Sequence, residues 1–242
     1  MAPKKKLAVF DVDGTIFRSS LLVELVAALI ADGVFPREAA AFYERAHREW
    51  LDRQGSYEDY IAFVIAAFRK HLKGMRYGDL RRTAYKVVAA QKNRTYRYTR
   101  DLARSLKKRG YYVLAVSHSP KIVVEGFAKT LGFNKVYGIM YETDKAGPDG
   151  RFTGEVLFPE IALAKENLVR RVLDELGTGI TLRGSVGVGD TEADIPVLKM
   201  VGRPICFNPN AKLYAAARRN GWEVVIERKD MVYYLSKGRK AR

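Results

Sequence analysis

Residues Leu7 to Phe10 form an uninterrupted apolar run that ends in two aspartates, Asp11 and Asp13, followed by Gly14 and Thr15. An apolar run without polar alternation reads as a strand buried on both faces, the kind found in parallel sheets covered by helices. In open α/β sheets, ligands bind at the carboxyl ends of such strands. Asp-Val-Asp-Gly-Thr therefore puts two acids where chemistry is expected. Taken alone, the pair is equally well read as one Asp capping a turn and one in solvent.

The order of elements extends this constraint. Leu21–Ala31 is apolar and stops at Gly33, and Pro36 suits the first turn of a helix running to about Asp52. Tyr57, Tyr60, Ile61, Val64, Ile65, Phe68 and Leu72 recur at spacings of three and four, so one helix face is buried there as packing core. A further helix covers about Asp79–Lys92. No strand signal interrupts this stretch. After it, strands and helices alternate. Strands are expected at Tyr111–Val116, Val136–Tyr141, Ser185–Val188, Pro204–Phe207 and Glu223–Ile226, and Asp149-Gly150 marks a hairpin turn before Arg151–Val156. Helices are expected at Tyr98–Lys108, from Ser119-Pro120 to Leu131, and at Ile161–Leu176, Asp194–Met200 and Ala211–Asn220. The pattern predicts an α/β fold, a doubly wound parallel sheet of Rossmann-like type, with an all-helical insertion. The expected core is 1–19 and 95–242, and the expected helical domain is 20–94.

Composition bounds the function classes. The chain has 242 residues, 48% hydrophobic and 29% charged, an ordinary globular profile. One cysteine, Cys206, excludes an internal disulfide and fits a reducing compartment. No run reaches the roughly 18–20 apolar residues of a membrane span, and the basic start lacks the apolar core of a signal peptide, so a cytoplasmic protein is expected. The formal charge is +16, part of it in Lys4–Lys6 and in Lys237, Arg239, Lys240 and Arg242. Such a balance permits nucleic-acid binding by general electrostatics. No zinc-finger spacing, RNP-like motif or basic zipper supports it, and a basic surface equally suits an enzyme for phosphorylated anions.

Three further polar sites fall where this topology would set them beside Asp11. Ser117 ends the second core strand just ahead of a helix start, where backbone N–H groups favour an anion. Lys165 lies in the first turn of a helix, a position slightly unfavourable to a cation. Gly189-Asp190-Thr191-Glu192-Ala193-Asp194 ends the fourth core strand, and its acids also suit a helix N-terminus.

Together, in this order and on these elements, the sites resemble the four motifs of the haloacid dehalogenase superfamily: Asp11 to Thr15, Ser117 in Val-Ser-His-Ser-Pro, Lys165, and Gly189 to Asp194. An all-helical insertion between the first two motifs resembles a C1-type cap. The stretches Asp149 to Val156 and Ile205 to Trp222 resemble the phosphoserine-phosphatase-like branch. That branch usually carries a glutamate a few residues after the first motif; this chain has Ser19 and Ser20 there, then Glu24.

The resemblance implies a Mg²⁺-dependent phosphomonoesterase for a small phosphorylated metabolite. Asp11 would be the nucleophile, forming an aspartyl-phosphate, and Asp13 the general acid and base. Asp11, the backbone carbonyl of Asp13 and Asp190 would hold Mg²⁺, with Asp194 behind them. Ser117, His118 and Lys165 would bind the phosphate, and Arg18, Ser20 and Glu24 are candidate leaving-group contacts. Two other readings stand beside it: a phosphotransferase or mutase on the same scaffold, and a basic, non-catalytic nucleic-acid- or protein-binding module.

Overall fold

The computed structural model describes residues 4–159 and 164–236. Its eight strands are β1 (Lys5–Asp11), β2 (Tyr112–Pro120), β3 (Lys135–Thr143), β4 (Phe152–Leu157), β5 (Ile180–Gly189), β6 (Arg203–Phe207), β7 (Glu223–Arg228) and β8 (Met231–Ser236). They form one sheet in the order β4-β3-β2-β1-β5-β6-β7-β8. The six strands from β3 to β7 in that order pair in parallel, and β4 and β8 close the two edges antiparallel. From β1 the chain winds outward one way and then the other, so the topological switch point lies at β1.

The apolar run of β1 is buried on both sides, and alternate residues serve different cores. Ala8 and Phe10 join the large cluster that holds the helical insertion, whereas Leu7 and Val9 pack with Leu114, Val116, Leu168, Val169 and Val172. Register then fixes the functional edge. Asp11 pairs with Val116, so Ser117 follows one step on, and Phe10 pairs with Val188, which sets Gly189 level with Asp11.

Between β1 and β2 lie α1 (Leu21–Ala31), a 3-10 turn at Arg37–Phe42, α2 (Glu44–Leu51), α3 (Tyr57–Leu72), α4 (Tyr77–Gln91) and α5 (Arg97–Lys108). Ser20 caps α1 by accepting from the Val23 N–H at 3.5 Å. Ser56 does the same for α3, from the Asp59 N–H at 3.0 Å. Helix α1 buries Leu21, Leu22, Leu25, Val26 and Leu29, each contributing about 1.5–3 kcal/mol on full burial. Helices α6 (Lys121–Lys129), α7 (Lys165–Leu176), α8 (Ile195–Met200) and α9 (Ala211–Asn220) complete the layers. Buried residues of α1, α3 and α4 share one apolar cluster with Val123, Val124 and Phe127 of α6.

Three elements depart from the sequence expectation. The single helix expected from Pro36 to Asp52 breaks at Tyr43, whose backbone (φ −123°, ψ −8°) leaves helical geometry while its ring packs on Tyr60. Strand β8 carries no sequence signal, because Met231, Tyr233, Tyr234 and Leu235 are exposed and no buried period marks it. The expected helix from Ile161 begins, among the described residues, at Lys165; 160–163 lie outside them.

Candidate active site

The floor of the site is built where β1, β2 and β5 end. After Asp11 the chain turns sharply at Gly14, whose φ of +76° is costly for residues with a side chain. A Cβ there would also stand 2.1 Å from Asp190 Oδ2, so glycine is needed for Asp190 to approach the turn. Thr15 donates its hydroxyl to Asp190 Oδ1 at 3.1 Å. Gly189 plays the matching part across the gap, because a Cβ on it would meet the Asp194 side chain at 2.4 Å. Asp194 Oδ2 accepts from the N–H groups of Asp190 and Thr191 at 3.0 and 3.1 Å, which fixes the loop.

Lys165, at the first residue of α7, reaches into this floor. Its Nζ donates to Asp11 Oδ1 at 2.6 Å and to Asp194 Oδ1 at 2.7 Å. All three residues are almost fully buried, at 6%, 6% and 3% exposure for Asp11, Lys165 and Asp194. Burial disfavours the lysine's charge, but the two carboxylates outweigh it and push its pKa up. Burial dominates for Asp11 and raises its pKa to about 7, with Asp194 and Asp13 adding to the rise and Lys165 opposing it. Burial, then Asp11 and Asp194, raise Asp190 well above the usual carboxylate range. Fully ionised, the three carboxylates would carry more negative charge than one ammonium balances, and the raised values express that excess.

Asp13 has a different environment. Its Oδ1 accepts from the Leu21 N–H and its Oδ2 from the Ser117 hydroxyl, both at 2.5 Å. Ser117 in turn accepts from the Ser119 N–H at 2.8 Å, which points its proton at Asp13. Burial raises the Asp13 pKa against these bonds.

Metal capacity follows from the donors. Asp11, Asp190 and Asp194 each offer a carboxylate oxygen, all within 4.8 Å of one another. An all-oxygen, charge-excess set suits a hard divalent cation. The Asp194 carboxylate belongs to this group as directly as the other two do, whereas the side chain of Asp13 does not.

A cleft of about 130 Å³ opens on this floor, and Asp11, Asp13, Lys165 and Asp190 line it. His118 stands at its rim. The ring keeps access to solvent, yet the crowding walls and the Lys165 ammonium disfavour protonation and lower its pKa to about 4. Of the candidate leaving-group contacts, only Ser20 lines the cleft. Glu24 is held by Arg94 at 2.7 Å, Ser19 at 3.0 Å and Gln91 at 3.3 Å, and the Arg18 guanidinium lies over the Tyr96 ring at 5.4 Å.

Sequence reasoning missed the opposite wall. Tyr57, Ile61 and Ile65 of α3 line the cleft together with Leu22. The stripe read as one buried face is two: Tyr60, Val64, Phe68 and Leu72 are core, and the flanking residues at i, i+4 and i+8 face the acids. The half-burial of those three was the separating property, and periodicity alone does not reveal it. Ser119, which accepts from the Leu22 N–H at 3.2 Å, was also missed as a lining residue. Its place two residues after Ser117 on the same strand was the available signal.

The chain is similar to several known proteins. Phosphoserine phosphatase SerB1 of Mycobacterium tuberculosis is 26% identical over 226 residues, 90% of this chain and 69% of that protein. Histidinol-phosphatase of Neisseria meningitidis is 25% identical over 224 residues, 91% of this chain and 98% of that one. Among solved structures, a protein of unknown function from Bordetella pertussis superposes with a TM-score of 0.70 at 22% identity, covering 93% of this chain and 99% of that one. A phospho-aspartyl intermediate analogue of phosphoserine phosphatase superposes at 0.59, also at 22% identity, over 94% and 96%. These structural likenesses concern the fold. The family model described as haloacid dehalogenase-like hydrolase matches residues 8–199, and with that the chain belongs to the haloacid dehalogenase-like hydrolases.

Proposed function

We propose that this protein is a Mg²⁺-dependent phosphomonoesterase that works through an aspartyl-phosphate on Asp11. The observation that carries the reading is the pairing of two differently held acids two residues apart. Asp11 lies against Lys165 in the charged floor, and Asp13 is held separately by Ser117 and the Leu21 N–H. Phosphoryl transfer needs a nucleophile in line with the leaving oxygen and a proton for that oxygen. In this scheme an Asp11 oxygen attacks phosphorus, the bond to the alcohol oxygen breaks, and Asp13 protonates that oxygen. A water then attacks the phosphoryl group, Asp13 takes its proton, and the bond to Asp11 breaks to release inorganic phosphate.

Burial suits Asp13 to this work, because a raised pKa keeps the proton available. Lys165 and Ser117 hold phosphoryl oxygens, Ser117 exchanging its bond to Asp13 for one to substrate, and neutral His118 donates from the rim. Asp11, Asp190 and the Asp13 backbone carbonyl would hold Mg²⁺, with the Asp194 carboxylate adjoining. When bound, the ion would neutralise the excess floor charge and the phosphoryl oxygens.

We assign residues 20–94 the role of a cap over 1–19 and 95–242. Tyr57, Ile61 and Ile65 of α3, which line the cleft opposite the acids, support it, as does a bond from Asn210 Nδ2 to Glu58 Oε1 at 2.8 Å, which ties the start of α3 to the sheet domain beside the cleft. Closure of such a cap excludes bulk water. Phosphate release from p-nitrophenyl phosphate with Mg²⁺ and with EDTA tests the assignment: release that EDTA abolishes and Mg²⁺ restores is expected, and no release with Mg²⁺ contradicts it.

A further inference from the structure

The walls around the leaving-group end of the cleft differ in kind from its floor. Among the described residues lining the cleft, the charged groups are Asp11, Asp13, Lys165 and Asp190, all of them in the floor. The rest of the described lining is uncharged: Tyr57, Ile61, Ile65 and Leu22 form an apolar wall, and Ser20, His118, Ser119 and Thr191 complete it. The Tyr57 ring is fixed by Trp50 at 5.2 Å and Tyr60 at 6.1 Å between centroids, so this wall is preorganised. Burial, with Asp13 and Asp190 nearby, pushes the Tyr57 phenol up and keeps it neutral.

Glu24 and Arg18, the charged candidates for leaving-group contact, are engaged elsewhere. Glu24 is bound by Arg94, Ser19 and Gln91, and Arg18 covers the Tyr96 ring. A leaving group carrying an α-ammonium and an α-carboxylate would lose its hydration against isoleucine and tyrosine without a counter-charge, which is costly. An uncharged alkyl or aryl group would instead remove apolar surface from water on both sides.

We propose that the substrates of this site are monoesters of small, uncharged, mainly apolar alcohols, selected by Tyr57, Ile61 and Ile65. This rests on the phosphomonoesterase reading above. The size of the cleft, about 130 Å³, supports small alcohols, because pockets for drug-sized ligands span ~300–1,000 Å³.

The test is a ladder of alkyl phosphates whose alcohols have similar acidity, so that leaving-group chemistry stays constant: methyl, ethyl and propyl phosphate. O-phosphoserine is the charged counterpart of propyl phosphate, and because its more acidic hydroxyl makes the better leaving group, slower turnover of it reports the wall. Acetyl phosphate reports floor chemistry without demanding much of the wall. We expect kcat/KM to rise about fourfold for each added methylene, and O-phosphoserine to fall at least about tenfold below propyl phosphate. Ile61→Ala should lower kcat/KM for propyl phosphate more than for methyl phosphate and so flatten the ladder. If acetyl phosphate is hydrolysed while O-phosphoserine equals or exceeds propyl phosphate, or while the ladder is flat, this inference is overturned and the phosphatase reading stands. Failure to hydrolyse acetyl phosphate or any ester overturns both.

Discussion

The floor and the roof of the cleft are built on opposite physical plans. The floor gathers the buried carboxylates of Asp11 and Asp194 and the half-buried one of Asp190 beside one ammonium, with the acids placed by strand register and tight glycine turns and Lys165 supplied by the start of α7. The roof is one face of a helix, apolar and half-buried, with no charged side chain among its described cleft-lining residues. The floor sacrifices stability for chemistry, because like charges are crowded out of water. The same helix packs its other face, Val64 and Phe68, into the core. If this contrast is right, removing one of the floor's crowded carboxylates should break turnover without costing stability, whereas removing their single counter-charge or a core-facing residue of α3 should cost stability, and changing a cleft-facing residue of α3 should mainly change substrate preference.

The largest effect is expected at Asp11. Asp11→Asn should cut turnover by about 10⁴-fold or more, since an amide is a poor nucleophile. The same change removes one of the crowded negative charges, and Asn can still accept from Lys165, so thermal stability of the metal-free protein should not fall. A loss of both together in a melting scan and a phosphate-release assay would break the contrast.

Lys165→Met comes next. It leaves Asp11 and Asp194 buried without a counter-charge and should cost about 3–5 kcal/mol in chemical denaturation. A neutral result would mean that the ammonium is not what holds the floor together.

The roof sharpens the comparison within one helix. Phe68 is fully buried, and Phe68→Ala should cost about 3–5 kcal/mol in the same experiment. Ile61→Ala, half-buried at the cleft, should cost less than half of that. Equal losses would place Ile61 in the core and dissolve the distinction between the two faces.

How much of this was legible in the sequence follows the same division. The strands of the floor could be read because β1 has no polar alternation, and the acids because Asp11, Asp13, Asp190 and Asp194 cluster at turns marked by glycine. Lys165 was legible only through its company, for a lysine in a first helical turn is usually solvated. The roof was not legible. Tyr57 and Tyr60 look alike in a periodic stripe, and which of them faces the acids depends on the rotation of α3 over the sheet, a tertiary property. Glu24 and Arg18 misled for a related reason: both lie near the first motif in sequence, but Arg94 and Tyr96, from the far end of the helical segment, engage them. Strand β8 escaped because an exposed edge carries no buried period.

The smallest effect concerns pH. Burial, with Lys70 adding to it, lowers the pKa of His71, whose Nε2 has no hydrogen-bond partner among the described residues. The folded state therefore resists protonation, whereas the unfolded chain titrates near the ordinary value of 6.5. The stability this neutral ring supports is present above 6.5 and lost as pH falls below it. Asp11 and Asp190, with raised values, work in the opposite sense over an overlapping range, so the histidine is isolated by difference. The stability of the parent minus that of His71→Gln, from urea midpoints, should decrease between pH 7.5 and 5.5; a flat or rising difference would remove His71 from the account.

The central claim is that the floor acts covalently through Asp11 while Asp13 handles protons. Asp13→Asn keeps the backbone carbonyl and loses the proton carrier. With p-nitrophenyl phosphate, whose leaving group needs little protonation, formation of the intermediate should survive and its hydrolysis should slow, by about 10²–10⁴-fold. Rapid acid quench of Asp13→Asn with ³²P-labelled p-nitrophenyl phosphate and Mg²⁺ is the most direct measurement. The account predicts a label that accumulates towards one phosphoryl group per chain, maps to Asp11 and is absent from the Asp11→Asn, Asp13→Asn double variant. Turnover in the parent enzyme with no label on Asp11 in any variant would contradict it.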